Sequence, residues 1–122
     1  MKGRSPTKEE KQYHDDLCRE IGCIVCWHCF DKFNDYCSIH HIDGRTKPNA
    51  HKLVIALCAK HHQEEPGDRE RGIYAIHPYK RHFEEYYAPQ SELKHIADTI
   101  LKSLGKNVPE LENAVFTMGD CI

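Results

Sequence analysis

The chain is 122 residues long with a formal net charge of −2, which is the size of one domain with an adequate core. That balance does not mark a generally basic nucleic-acid binder, and no apolar run approaches the ~18 residues that a membrane-spanning helix needs. The start, MKGRSPTKEE, lacks the apolar stretch of a secretory signal, so a cytoplasmic protein with no membrane partner is expected.

Thr7 followed three residues later by Glu10 has the form of a capping box. Tyr13, Leu17 and Ile21 recur at four-residue spacing behind it, so a helix is predicted over 7–21, ended by Gly22. Residues 27–35, WHCFDKFND, read as a loop. A strand is expected over 36–42, a turn at Asp43-Gly44, a basic loop over 44–52 and a second strand over 53–57. A helix follows from near Cys58 and stops before Pro66. Residues 68–72 form a charged connector, and 73–76 are either a third strand or packed coil. A helix over 79–88 carries Tyr79, Phe83, Tyr86 and Tyr87 and is broken by Pro89. The last helix, 91–104, carries a stripe of Leu93, Ile96, Ala97, Ile100, Leu101 and Leu104, with Gly105 placed for a left-handed cap. The expected fold is α+β, one domain over 1–105 with a tail over 106–122.

The chain has seven cysteines and ten histidines. Without a secretory signal, the cysteines read as metal ligands or buried thiols rather than disulfides. Cys23-x-x-Cys26 and Cys58-x-x-His61 are two knuckles whose four donors can converge on a structural Zn2+. Cys26-x-x-Cys29 and Cys37-x-x-His40 have ligand spacing too and remain alternatives. The apolar Ile24-Val25 directly after the helix favours the first pair. Cys18, Cys29, Cys37 and Cys121 are then packing residues or incidental.

The histidines left over suit phosphodiester hydrolysis. That reaction needs an activated water and neutralisation of charge on the phosphate and the leaving oxygen. Histidine titrates near neutrality, which suits a base. His41 is the candidate base and His40 a candidate metal ligand. Alternation along a strand sends them to opposite faces, so sharing one cleft requires the bend at Asp43-Gly44. His61 and His62 are about 100° apart on a helix, so one can face the zinc and the other a second cation. His77, between Ile76 and Pro78, is the candidate third ligand. His51, slightly ahead of Asn49, is the candidate that orients the base. His14, His28, His82 and His95 are expected on the surface or on helix faces. Residues 44–63 contain no acid, and Arg45, Lys47, Lys52 and Lys60 in that run are candidate DNA-phosphate contacts. The whole layout is that of a compact, zinc-stabilised HNH (ββα-metal) core with flanking helices.

His40-His41-Ile42-x-Gly44-Arg45-Thr46-x-Pro48-x-x-His51-Lys52, then Leu57-Cys58-x-x-His61-His62-Gln63, resembles the phage recombination-enhancement (Ref) nucleases. Lys2-Gly3-Arg4-x-Pro6-Thr7-x-Glu9-Glu10 and Cys23-Ile24-x-Cys26 are similar to that family's core as well. The resemblance implies DNA cleavage dependent on a RecA filament, with ATP and Mg2+ or another divalent cation, in the bacterial host cell. It also implies His41 as base, His40, His62 and His77 around the catalytic metal, and Arg45 and Lys52 on phosphate. The competing reading is a zinc-stabilised nucleic-acid- or protein-binding module without nuclease activity, for which a spare imidazole has no use. A redox or metal sensor using the extra cysteines is the weakest of the three.

Overall fold

The computed structural model describes residues 4–63, 66 and 68–111. The first helix, α1 (Lys8–Asp16), starts on the expected capping box. The Thr7 hydroxyl accepts the Glu10 N–H at 3.1 Å, and Glu10 Oε1 accepts the Thr7 N–H at 2.9 Å. Arg4 adds a two-pronged ion pair to the same carboxylate, at 2.8 and 2.9 Å. The helix continues as one π-helical turn, Leu17–Ile21, so that Tyr13, Leu17 and Ile21 stay on the buried face. Gly22 ends it with φ +75°, ψ −148°, and a Cβ there would collide with the Asn34 carbonyl. That close approach lets the Cys23 N–H donate to Asn34 O at 2.9 Å.

The expected loop over 27–35 is corrected in its first half: α2 (Ile24–Phe30) occupies it. Seven residues are too few for a helix that stands alone. This one is held by tertiary contact, burying Ile24 and Val25 and packing against the second strand and the last helix. Asp31 closes it in the left-handed region, at φ 55°.

Strands β1 (Cys37–His41) and β2 (Val54–Cys58) pair antiparallel, Ile39 opposite Ala56 and His40 opposite Ile55. β2 is buried along its whole length, with α2, α5 and the π-turn against it, which explains its unbroken apolar run. It starts and ends one residue later than expected, so Cys58 is both its last residue and the cap of α3 (Ala59–His62). Among the described residues the sheet has two strands; residues 73–75 are coil, with the Tyr74 N–H donating to the Tyr87 hydroxyl at 3.2 Å.

Helix α4 (Ile76–Tyr86) begins earlier than the expected 79, although His77 and Tyr79 keep non-helical backbone. α5 (Gln90–Ser103) buries Leu93, Ala97 and Leu101. Its C-terminus is a Schellman closure: Lys106 N–H to Leu101 O at 2.9 Å and Gly105 N–H to Lys102 O at 3.0 Å, with Gly105 at φ +77°. Leu104, expected on the stripe, is instead half exposed on the turn itself. α1 and α5 are tied by Tyr13, whose hydroxyl donates to Asp98 and accepts from Lys94. The start of the expected tail packs down, with Val108 against the core; residues 112–122, Cys121 among them, lie outside the described set. No described helix is long and apolar enough to cross a membrane.

Candidate active site

Cys23 and Cys26 flank the first turn of α2, and Cys58 and His61 the turn of α3. The Cys23 and Cys26 sulfurs lie 3.5 and 3.8 Å from His61 Nδ1, Cys58 Sγ lies 3.2 Å from it, and Cys26 and Cys58 are 3.9 Å apart. A tetrahedron with ~2.3 Å zinc–sulfur and ~2.0 Å zinc–nitrogen bonds has edges of about 3.8 Å (S···S) and about 3.6 Å (S···N). The four donors therefore stand nearly at the corners a zinc ion requires, and the cluster could hold such a metal. Hydrogen bonds from Cys23 and Cys26 hold the Cys58 thiol far below the usual thiol range, leaving a negative charge that a cation would neutralise. Phe30 stacks parallel to the His61 ring, with centroids 6.1 Å apart, and covers the cluster. Neither overlapping alternative enters it: Cys29 is exposed, and Cys37 is half-buried and hydrogen-bonded to Cys18.

His40, His62 and His77 form a second group, from β1, α3 and the start of α4. Their donor nitrogens lie within 4.8 Å of one another. His77 is placed by a bridge to Gln63, the residue after His62. Two of the rings have their far nitrogens tied down. His40 Nε2–H donates to Gln90 Oε1 at 2.9 Å, and Gln90 in turn donates its backbone and side-chain N–H groups to Glu84 Oε2, at 3.1 and 3.3 Å. His62 Nδ1–H donates to Ser38 Oγ at 3.0 Å. Those bonds leave His40 Nδ1 and His62 Nε2 as the lone pairs available to a cation, the usual arrangement for ligating imidazoles. Burial, aided by the charges of His62, His77 and Lys80, pushes His40 down to about 4, and burial also lowers His62. Both rings are neutral at pH 7, as ligation requires.

His41, next on β1, turns away to a third group. Its Nε2 is 3.2 Å from His51 Nδ1, and His51 Nε2–H donates to the Arg4 carbonyl. Since His51 spends its proton on Arg4, its Nδ1 is an acceptor, and His41 must be the donor. His41 Nδ1 is left with a free lone pair. Burial, then the adjacent Arg45 charge, pushes His41 down to about 4, so the ring is neutral at pH 7, with its one proton on Nε2. His14, expected on the surface or on a helix face, lies on the face of α1 that meets this group. It is half-buried, its Nε2–H donates to the His51 carbonyl at 2.7 Å, and its ring lies edge-on to His41. Asn49, the other orienting candidate, is buried, and its carbonyl caps the turn by accepting the Lys52 and Leu53 N–H groups.

Of the basic candidates, Arg45 is the one whose charge acts on His41. Lys47 pairs with Asp43 at 3.6 Å and Lys60 with Asp68 at 3.5 Å, while Lys52 is half-buried. Gln90, Glu84 and Lys80 were not singled out from sequence. They reach the site across 40 to 50 residues of chain, and no local spacing signals that.

The family model described as "Recombination enhancement, RecA-dependent nuclease" matches residues 6–102. The chain belongs to that family. The matched stretch runs from just before the α1 cap to the last turn of α5, so it takes in every residue of the three groups except the Arg4 carbonyl. The family's description names a nuclease that depends on RecA and works in recombination, which agrees with the resemblance carried by the histidine and cysteine motifs.

Proposed function

We propose that this chain is a metal-dependent DNA endonuclease of the HNH type, built as a single nuclease domain over residues 1–105. It cleaves single-stranded or displaced DNA bound in a RecA filament, in phage recombination within the cytoplasm of a bacterial host. The observation that carries the reading is the pairing of a three-histidine group with a neighbouring neutral histidine whose outward nitrogen is an unused lone pair. The order β1, β2, α3, with His40 on the first strand and His62 on the helix, supports a ββα-metal core stabilised by zinc on Cys23, Cys26, Cys58 and His61.

In this reading, His41 Nδ1 takes the proton from the attacking water. The His51–Arg4 chain fixes the His41 tautomer, and His14 braces the His51 backbone. Arg45 and Lys52, with Lys47 and Lys60 further out, attract and seat the phosphate backbone. A cation bound by His40, His62 and His77 would neutralise phosphate charge and stabilise the leaving oxygen. Three imidazoles and no carboxylate suit Zn2+, Mn2+, Co2+ or Ni2+. They do not suit directly bound Mg2+, which favours oxygen donors, so of the two options the structure supports another divalent ion over Mg2+.

The test is cleavage of circular single-stranded DNA with Mg2+ or Mn2+, with and without RecA and ATP, comparing wild type with His41→Ala. Cutting by wild type only with RecA and ATP, and none by a folded, zinc-loaded His41→Ala, is expected. Cutting without RecA would overturn the filament dependence alone. No cutting under any condition would favour the zinc-stabilised binding module.

A further inference from the structure

Beside Ser38, which ties down His62, lies a groove whose exposed aromatic wall none of the roles above uses. Tyr36, the residue before β1, is 84% exposed and forms one wall. Two adjoining pockets of about 180 and 250 Å3 share Tyr36 and Ala59. Ser38 lines the first, and its Oγ is the atom that holds His62 Nδ1 at 3.0 Å. Asn34 and Lys60 line the second, Lys60 two residues before His62 on α3. The first pocket therefore meets the candidate metal centre through Ser38, the second borders the cysteine cluster at Cys58, and both share the exposed Tyr36 ring.

The backbone under that ring is held. The Tyr36 N–H donates to Asn34 Oδ1 at 3.1 Å, and Asn34 Nδ2 reaches the Cys26 sulfur at 3.9 Å. Ala59 opposite is too small to fill the space. No acidic residue lines either pocket; Lys60 stands at the rim, about half of its side chain exposed, in a 3.5 Å pair with Asp68 that a phosphate would compete for.

We propose that this groove is a stacking site for one unpaired nucleobase of the DNA strand, with Tyr36 as the platform and Lys60 on the adjoining phosphate. A flat ring on a fixed backbone, next to a cation and a phosphate-cleaving centre, matches how sequence-tolerant single-strand sites work. Bases inside a duplex have both faces occupied and cannot reach it. The proposal rests on the nuclease reading of His40, His62 and His77, and it adds that the protein itself, not only the filament, selects unpaired DNA beside the cut.

The experiment uses the full chain carrying His41→Ala, so that DNA is bound and not cut, and a fluorescein-labelled oligothymidylate read by anisotropy. Stacking on an aromatic contributes ~1–3 kcal/mol per base, so adding Tyr36→Ala should weaken binding about 5- to 150-fold, while Tyr36→Phe should leave it unchanged. One abasic position moved along the oligonucleotide should weaken the Tyr36 protein at a single register and have no effect there on Tyr36→Ala. Equal affinity for duplex and single strand, or an abasic effect that ignores Tyr36, overturns the proposal. If neither protein binds the oligonucleotide while wild type still cuts in a RecA filament, the stacking site is refuted and the nuclease reading survives. Loss of both binding and cutting refutes the two together.

Discussion

Replacing His51 tests the reasoning about the base most directly. In wild type, His41 Nε2–H has one acceptor, His51 Nδ1 at 3.2 Å, and that acceptor is available because His51 gives its own proton to the Arg4 carbonyl. His51→Leu keeps bulk in a position only 4% exposed but removes the acceptor. His41 can then carry its proton on either nitrogen, and its ring loses a fixed orientation. Loss of one orienting partner of a working imidazole costs about 10- to 100-fold, or about 1.4–2.7 kcal/mol of transition-state stabilisation. Removing the base itself in His41→Ala should cost ~10²–10⁴-fold. His51→Asn places a carbonyl oxygen near the position of the imidazole Nδ1, restoring an acceptor, and should recover most of the loss. The assay is single-turnover cleavage of RecA-bound DNA at saturating protein, with zinc content and circular dichroism checked for each variant. A His51→Leu rate within twofold of wild type would refute the relay, as would a His51→Asn protein no faster than His51→Leu.

Three further outcomes follow from the same geometry. Cys58→Ser should lose one equivalent of zinc by metal analysis and lower the thermal midpoint sharply, because structural zinc in small domains contributes on the order of 10 kcal/mol of apparent binding free energy. Gln90→Leu should weaken Mn2+ or Zn2+ binding at the three-histidine centre by about 10- to 100-fold, since His40 loses its tie to Glu84, while the zinc at the cysteine cluster is retained. The third concerns acid. Hydrogen bonds from Arg4, working against burial, and then from Thr7 hold Glu10 at about 2, below its ordinary 4.5. Its folded value is depressed, so the contribution to stability is complete above 4.5 and disappears as pH falls from there through 2. Because the Arg4 side chain is 42% exposed, the ~3 kcal/mol ceiling from that shift is reduced to about 1–2 kcal/mol. Arg4→Ala removes the largest of these contributions and leaves the Thr7 bonds, so it should flatten the acid limb of a urea-denaturation pH profile by most of that amount and lower stability between pH 6 and 8 to the same extent.

The elements visible in sequence were those with local causes. Thr7 and Glu10 satisfy each other within one helical turn, Gly105 closes α5 within three residues, and the two cysteine-bearing knuckles carry their spacing on their face. Of the residues read from such motifs, His40 and His62 come together with His77, His61 with the three cysteines, and His41 with His51. What failed to show had distant causes. α2 looked like a loop because its apolar face is two residues, Ile24 and Val25, plus part of Trp27, and becomes helical only against β2 and α5. His14 looks like any exposed helix histidine until the 44–52 loop folds back and sets the His51 carbonyl 2.7 Å away. Gln90 begins a helix after a proline, and nothing near it predicts a buried amide 50 residues from its imidazole.

The four residues of α3 connect two candidate metal sites that have no residue in common. His61 points to the cysteine cluster and His62, its neighbour on one turn of helix, to His40 and His77. A rotation of that turn that tightened one set of bonds would re-aim the other ring. Were both sites filled, such a rotation would link them: an ion in the cysteine cluster would change the affinity of the histidine group, and by reciprocity the second ion would change the first by the same factor. A protein loaded with the wrong metal at the cysteine cluster would then show the defect at the other site, in how tightly His40, His62 and His77 hold a cation.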